Sequence, residues 1–235
     1  MALRPGFVDA VGRAELAAAI EACRRAPGPG FRILSPPGRP LVISDRDRAA
    51  DVAAIGRLAR AGTGLAAGAF GSTSAVLLED QWFLSEAGAG TPSPWHQDQP
   101  FLPVEPFFVT IWIPLDPPPG RDSLRAIPGS QRGPLYAPAD FSSDAPEPGG
   151  DWESGRTAPM FAPALSPGDA VLIDSRVLHA TGGFCPAPFR RISLRYAPPD
   201  ARLSPRPWPV AERWRLLAGA AGGPLPLSLP RIAAD

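Results

Sequence analysis

Lysine and asparagine are missing from this chain altogether, so all 23 basic residues among its 235 are arginine. Without lysine there is no Schiff-base amine and no P-loop lysine, which excludes both chemistries. Cysteine is scarce. Cys23 and Cys185 are too few for a disulfide framework, and two reduced thiols in a cytoplasmic protein are the expectation. Neither sign of charge is in excess, with 23 acidic residues against 23 basic ones and a formal net charge of +0. No basic run of nucleic-acid type occurs, so a DNA or RNA partner is not expected. No apolar stretch approaches the roughly 20 residues needed to span a bilayer. Met1–Gly6 also lacks the charged-then-apolar pattern of a signal peptide, and no membrane association is expected. Histidine is scarce too, represented by His96 and His179 only.

What is present suits one globular domain spanning residues 1–235, with 44% apolar residues and enough length to bury a core. The first part, 1–70, reads as a helical flank. One helix is expected over Phe7–Ala22, with Val11, Leu16, Ala19 and Ile20 near one stripe, ended by Ala26-Pro27-Gly28-Pro29-Gly30. A second is expected to start at the N-cap pair Ser44-Asp45 and to run through Val52, Ile55 and Leu58 to about Ala61. From Ala75 the pattern turns to short β-branched and aromatic runs. Strands are expected over Ala75–Leu84, Pro106–Leu115, Ala170–Asp174 and Arg190–Tyr196, forming a core over 75–200. Residues 133–168 are dense in Pro, Gly, Ser and Asp, as a loop or lid would be, and 201–235 form a tail with a short closing helix near Trp208–Leu217. Helices first and strands afterwards predict a mainly β protein with flanking helices, an antiparallel sandwich or barrel.

Both histidines stand in suggestive company. His96-Gln97-Asp98 would turn an imidazole and a carboxylate to one face of an extended segment. His179 closes Asp169–Leu178, which reads as a buried strand. Two histidines and one carboxylate on one side of an ion leave its other side open, the facial arrangement of non-haem Fe(II) oxygenases, although other divalent metals accept the same ligands. By itself a His-x-Asp step is a weak signal, since an incidental aspartate beside a structural histidine reads the same way.

The surrounding blocks are more specific. Pro94–Pro100, Ile111–Asp116, Leu124–Ser130, Gly168–His179 and Arg190–Tyr196 resemble, in this order, the phytanoyl-CoA dioxygenase family. The resemblance implies a double-stranded β-helix (a jelly roll, cupin-like), with Fe(II), 2-oxoglutarate and O2. It also implies His96, Asp98 and His179 as metal ligands. The distal carboxylate of 2-oxoglutarate needs a buried cation, and arginine holds a carboxylate through two parallel bonds. The family spacing puts that arginine at Arg190. Because the segment between His179 and Ser193 is one residue shorter than usual, Arg191 is the alternative. Thr181, Ser93 and Trp112 match further co-substrate positions. Many relatives carry a lysine near Ser85, which this chain does not. Halogenases of this group replace the carboxylate ligand with a small residue to admit chloride. Asp98 therefore implies hydroxylation or another two-electron oxidation, and the leading expectation for the substrate is a small molecule of specialised metabolism. Trp95 and Phe101 flank the metal step and are candidate substrate contacts. A cupin-like isomerase, or a non-catalytic binding protein on the same barrel, is the alternative function.

Overall fold

The computed structural model describes residues 1–90, 93–102, 104–120, 123–136 and 160–204, together with Leu225 and the backbone of Arg231–Ala233. Most of the expected loop or lid at 133–168, and the expected closing helix near Trp208–Leu217, lie outside these residues. Helix α1 (Ala10–Arg25) begins where the Asp9 carboxylate accepts a hydrogen bond from the Gly12 amide at 2.8 Å, satisfying one of the unpaired amides of the first turn. It ends at Ala26, just ahead of Pro27, and buries Leu16, Ile20 and Cys23 along one stripe. Helix α2 (Ala53–Phe70) departs from expectation at both ends. Ser44 and Asp45 do not cap it, because the apolar run around Ile43 draws them into a strand. Asp80 anchors the turn before the helix instead, its carboxylate accepting from the Arg48 and Ala49 amides at 2.9 and 3.0 Å. Gly62-Thr63-Gly64 does not stop the helix, since it runs on to Gly71 in the left-handed conformation.

Eight antiparallel strands form the larger sheet: β1 (Ala2–Arg4), β2 (Arg32–Ile33), β3 (Val42–Arg46), β4 (Ser74–Ser85), β7 (Val109–Pro114), β9 (Ala170–Asp174), β11 (Phe189–Ala197) and β13 (Arg231–Ala233). Their order is β1-β9-β7-β11-β4-β3-β2, with β13 also on β4. Three of these strands come from the N-terminal segment, so residues 1–70 are not a helical flank alone. A smaller sheet has the order β5 (Ser93–His96), β10 (His179–Thr181), β8 (Arg125–Ala126), and β6 (Val104–Glu105) pairs with β12 (Arg202–Leu203). The run Asp169–Leu178 is not one strand. β9 ends at Asp174, whose carboxylate accepts from the Arg176 amide at 2.9 Å, and this turn carries the chain into β10 of the other sheet. Among the described residues no helix is long and apolar enough to cross a membrane.

Alternation sorts the larger sheet into two faces. Trp82 and Leu84 of β4, Ile111 and Ile113 of β7, and Ile192, Leu194 and Tyr196 of β11 join the apolar residues of α1 and α2 in one buried cluster. Each such side chain contributes roughly 1.5–3 kcal/mol when fully buried. The opposite face carries Thr110 and Trp112 of β7 beside Ser193 and Arg195 of β11, with Gln81 and Glu79 of β4 on the far side of them. The mainly β, jelly-roll architecture therefore puts its helices on one side of the large sheet and a polar interior on the other.

Helix α2 lies close enough to the sheet to need a missing side chain. A Cβ at Gly62 would stand 2.7 Å from Tyr196 Oη, and that hydroxyl donates to the Ala59 carbonyl at 2.5 Å. Gly62→Ala is expected to destabilise by about 1–3 kcal/mol through overpacking. Tyr196→Phe alone should cost about 0.5–1.5 kcal/mol, the usual worth of a hydrogen bond. In the double variant the obstructing oxygen is gone, so equilibrium denaturation should give a loss smaller than the sum. Strict additivity would locate the constraint on α2 elsewhere.

Candidate metal centre

β5 and β10 are direct neighbours in register, with His96 opposite His179. The two ring centroids are 4.2 Å apart. After His96 the chain bends: Asp98 has right-handed helical dihedrals (φ −72°, ψ −29°) and leads into a 3-10 turn, Gln99–Phe101. The extended His-x-Asp step expected from the sequence is thus a strand end followed by a turn. Gln99 fixes that turn to the β9–β10 corner, since its amide donates to the Ser175 carbonyl at 2.9 Å and its side-chain oxygen accepts from Ser175 Oγ at 2.5 Å. Gln97 points away from the histidines, as expected, and bonds the Arg176 and Pro134 carbonyls and the Tyr136 amide.

The three side chains converge. Ligand atoms of His96, Asp98 and His179 all lie within 4.8 Å of one another. Asp98 Oδ1 is 3.7 Å from His96 Nε2 and 3.9 Å from His179 Nε2. Each Nδ1 sits against a backbone carbonyl, that of Pro94 for His96 at 2.8 Å and that of Val177 for His179 at 3.0 Å. A protonated Nδ1 leaves the lone pair of Nε2 directed at the shared space, the second partner a metal-bound imidazole normally has. Burial and the neighbouring His96 push the His179 imidazole down to about 4, with Asp98 only partly opposing, so it is neutral as a metal ligand must be. Burial opposes the charge of Asp98, but the Arg195 guanidinium beside it outweighs this and holds the carboxyl well below its usual range. The donor set fits a divalent ion of the iron type.

The remaining candidate residues separate by strand parity. Arg190 lies on the helix side, where it makes two bonds to Asp116 at 2.8 and 2.9 Å and is partly exposed. This preferred candidate is therefore already engaged by a carboxylate and turned away from the interior. Arg191, the alternative, points inward and is buried. Its guanidinium lies 4.6 Å from the Phe83 ring centroid and 5.6 Å from that of Phe189, and it donates to Ser85 Oγ at 3.3 Å. Burial pushes it down to about 10, still charged at neutral pH. Among the described residues no carboxylate pairs with it. Ser85 thus supports this arginine, and the buried Cys185 thiol, pushed up by burial, neighbours both.

Thr181 and Ser93 meet at the end of the small sheet, where Thr181 Oγ1 accepts from the Ser93 amide at 3.1 Å. Trp112 is buried in the interior beside Ala126, Val171, Cys185 and Phe189. Phe101 packs edge-on against His96 with centroids 6.0 Å apart. Trp95 does not face the histidines. It alternates with His96 and packs with Leu178, Ala180 and Ile127 on the other side of the small sheet, with the Arg125 guanidinium over its ring. Arg195 and Thr110 were not singled out by sequence reasoning, yet both reach Asp98. Their signal was available, because Arg195 is four residues from Arg191 and Thr110 two from Trp112, spacings that share a strand face.

Solved structures share this fold over nearly the whole chain. The epimerase SnoN, in complex with Fe3+, alpha ketoglutarate and nogalamycin RO, is 21% identical with a TM-score of 0.76, covering 97% of this chain and 92% of its own. The alpha ketoglutarate dependent carbocyclase SnoK from nogalamycin biosynthesis is 18% identical with a TM-score of 0.78, covering 98% and 91%. EvdO2 from Micromonospora carbonacea var. aurantiaca, complexed with 2-oxoglutarate, is 20% identical with a TM-score of 0.61, covering 89% and 90%. At such identities the likeness establishes the jelly-roll fold. Among curated proteins none matches the chain significantly. The family signature of phytanoyl-CoA dioxygenase (PhyH) matches residues 43–191, well over half the chain and both histidines, and this protein belongs to the phytanoyl-CoA dioxygenase family of iron- and 2-oxoglutarate-dependent oxygenases.

Proposed function

We propose that the protein oxidises a small molecule in a biosynthetic pathway, with His96, Asp98 and His179 holding Fe(II) and Arg191 holding the distal carboxylate of 2-oxoglutarate. The observation that carries this reading is the buried guanidinium of Arg191, which has no carboxylate partner among the described residues and faces the same interior as three convergent ligand atoms. A buried cation is costly unless an anion completes it, and a dicarboxylate chelating the ion through its other end supplies that anion. Trp112, Thr181 and Ser93 support the co-substrate between the two. Phe101, beside His96, offers an aromatic wall to a largely apolar substrate. The two buried, free thiols are consistent with a cytoplasmic setting.

When bound, iron and 2-oxoglutarate supply the oxidising chemistry: O2 converts 2-oxoglutarate to succinate and CO2 with one oxygen atom and delivers the other to a C–H bond, R–H becoming R–OH. The chain's own part is to orient and to exclude water. With Nδ1–H donated to a backbone carbonyl, His96 and His179 each turn Nε2 toward the shared space. Arg191, held by Ser85 and stacked between Phe83 and Phe189, fixes the far end of the co-substrate. Asp98 occupies the position that a chloride ion would need, which favours hydroxylation over halogenation. Epimerisation or ring closure is the second reading, because solved structures of this fold include an epimerase and a carbocyclase.

Removing an arginine that completes a buried carboxylate is expected to raise the apparent 2-oxoglutarate constant by on the order of 10²-fold for Arg191→Ala. Arg190→Ala should leave that constant nearly unchanged and lower stability by at most about 1 kcal/mol, as for a partly exposed ion pair. Steady-state kinetics with the pattern reversed would return the co-substrate to Arg190. Turnover is expected to need O2, Fe(II) and 2-oxoglutarate together, and to vanish in His96→Ala and His179→Ala. With ¹⁸O2, one labelled oxygen in the product indicates hydroxylation, an unchanged mass epimerisation, and loss of two hydrogens ring closure. Product formed at full rate without 2-oxoglutarate would falsify the oxygenase reading and favour the cupin-like isomerase.

A further inference from the structure

The two oxygens of Asp98 have different surroundings. Oδ1 faces both imidazoles, whereas Oδ2 accepts a hydrogen bond from Thr110 Oγ1 at 2.5 Å and has Arg195 Nε 3.7 Å away. Arg195 is itself fixed from behind, its NH1 lying 2.7 Å from Glu79 Oε1 and 3.3 Å from Gln81 Oε1. Glu79 Oε2 is in turn 3.4 Å from Arg46 NH1. Thr110, Arg195 and Glu79 stand side by side on three neighbouring strands of the larger sheet, all on its inner face. This row of charges of alternating sign ends on a single oxygen of the Asp98 carboxylate.

Resting on the metal reading above, we propose that Thr110 and Arg195 are positioning residues: they hold Oδ2 of Asp98 and so present Oδ1 alone to the ion. A carboxylate that turned both oxygens to the ion would occupy a position the co-substrate requires. Thr110 supplies the directional bond. Arg195 supplies charge, and Glu79 keeps it from swinging into the interior. Partners of this kind, one step out from the ligands, commonly set metal affinity by 10- to 100-fold on the scale of about one to three kcal/mol. An ion pair between Arg195 and Glu79 that only stabilised the sheet would not discriminate between the two oxygens of Asp98.

The test is titration of the metal-free full-length protein with Co(II), followed by its visible absorption. Thr110→Val keeps the side-chain shape and removes the hydroxyl, and it should weaken Co(II) binding by on the order of tenfold. Thr110→Ser restores the hydroxyl and should return affinity to within about threefold of the native protein. Glu79→Gln combined with Arg195→Gln removes this pair together, so that neither of the two is left without the other, and should weaken binding similarly. In an Asp98→Ala background Thr110→Val should have no further effect, because the hydroxyl acts through that carboxylate. Native affinity in Thr110→Val, or an equal loss with and without Asp98, overturns the proposal. His179→Ala serves as a separate control. If it too binds Co(II) normally, the triad itself is misassigned, whereas loss of binding there beside an indifferent Thr110→Val removes the positioning role alone.

Discussion

Successive residues of a strand point to opposite faces, and β11, in the middle of the larger sheet, must satisfy two incompatible solvents through that rule. Ile192, Leu194 and Tyr196 go to the apolar layer under α1 and α2. Arg191, Ser193 and Arg195 go to the interior, and all three are buried or nearly so. A slip of one residue would put the arginines among the helices and the isoleucine and leucine beside the histidines. The register against β4 and β7, held by pairing on both sides, forbids it. The helices contribute through that same register, since Gly62 of α2 accepts the Tyr196 hydroxyl only when the strand sits where it does.

Charge in the interior is then a matter of pairing. Arg195 is compensated by Glu79 and Asp98, and Asp98 by Arg195, with Thr110 donating a hydrogen bond to it. Arg191 has aromatic rings and one hydroxyl around it, but no acid among the described residues. Such a group is tolerated when a ligand completes it, because leaving a cation buried and unmatched costs several kcal/mol. On the reading proposed above, this difference between the two interior arginines gives Arg195 a role in building the site and Arg191 a role in binding. Arg190, on the outer face, shows the third situation: a partly exposed pair with Asp116, which contributes little beyond local order.

Much of this could be read in the sequence, and the misses have identifiable causes. Scarcity made His96 and His179 conspicuous, and the Asp98 step with the ordered blocks around them pointed to the fold and the family before any coordinates. β9 was legible to the residue, because Ala170–Asp174 is an unbroken apolar run closed by a turn-forming aspartate. Ser44-Asp45 misled because capping residue types also occur at the end of a short strand, and only its pairing with β4 distinguishes the two. Which of Arg190 and Arg191 points inward turned on parity across a loop one residue shorter than usual, which spacing cannot resolve and a register can. Trp95, next to the metal step in sequence, faces away from His96 for the same reason: adjacency along a strand means opposite faces in space. Arg195 and Thr110 were overlooked because their partner is one carboxylate oxygen, a contact made only after three strands are aligned.

On the reading proposed above, one interior holds an iron ion on His96, Asp98 and His179 and a dicarboxylate on Arg191. An anaerobic crystal structure with Fe(II) and 2-oxoglutarate tests it most directly. The account predicts anomalous density for iron bonded to His96 Nε2, Asp98 Oδ1 and His179 Nε2, with the distal carboxylate of the co-substrate in contact with the Arg191 guanidinium. Iron bound elsewhere, or a co-substrate carboxylate displacing Asp116 from Arg190, would contradict it.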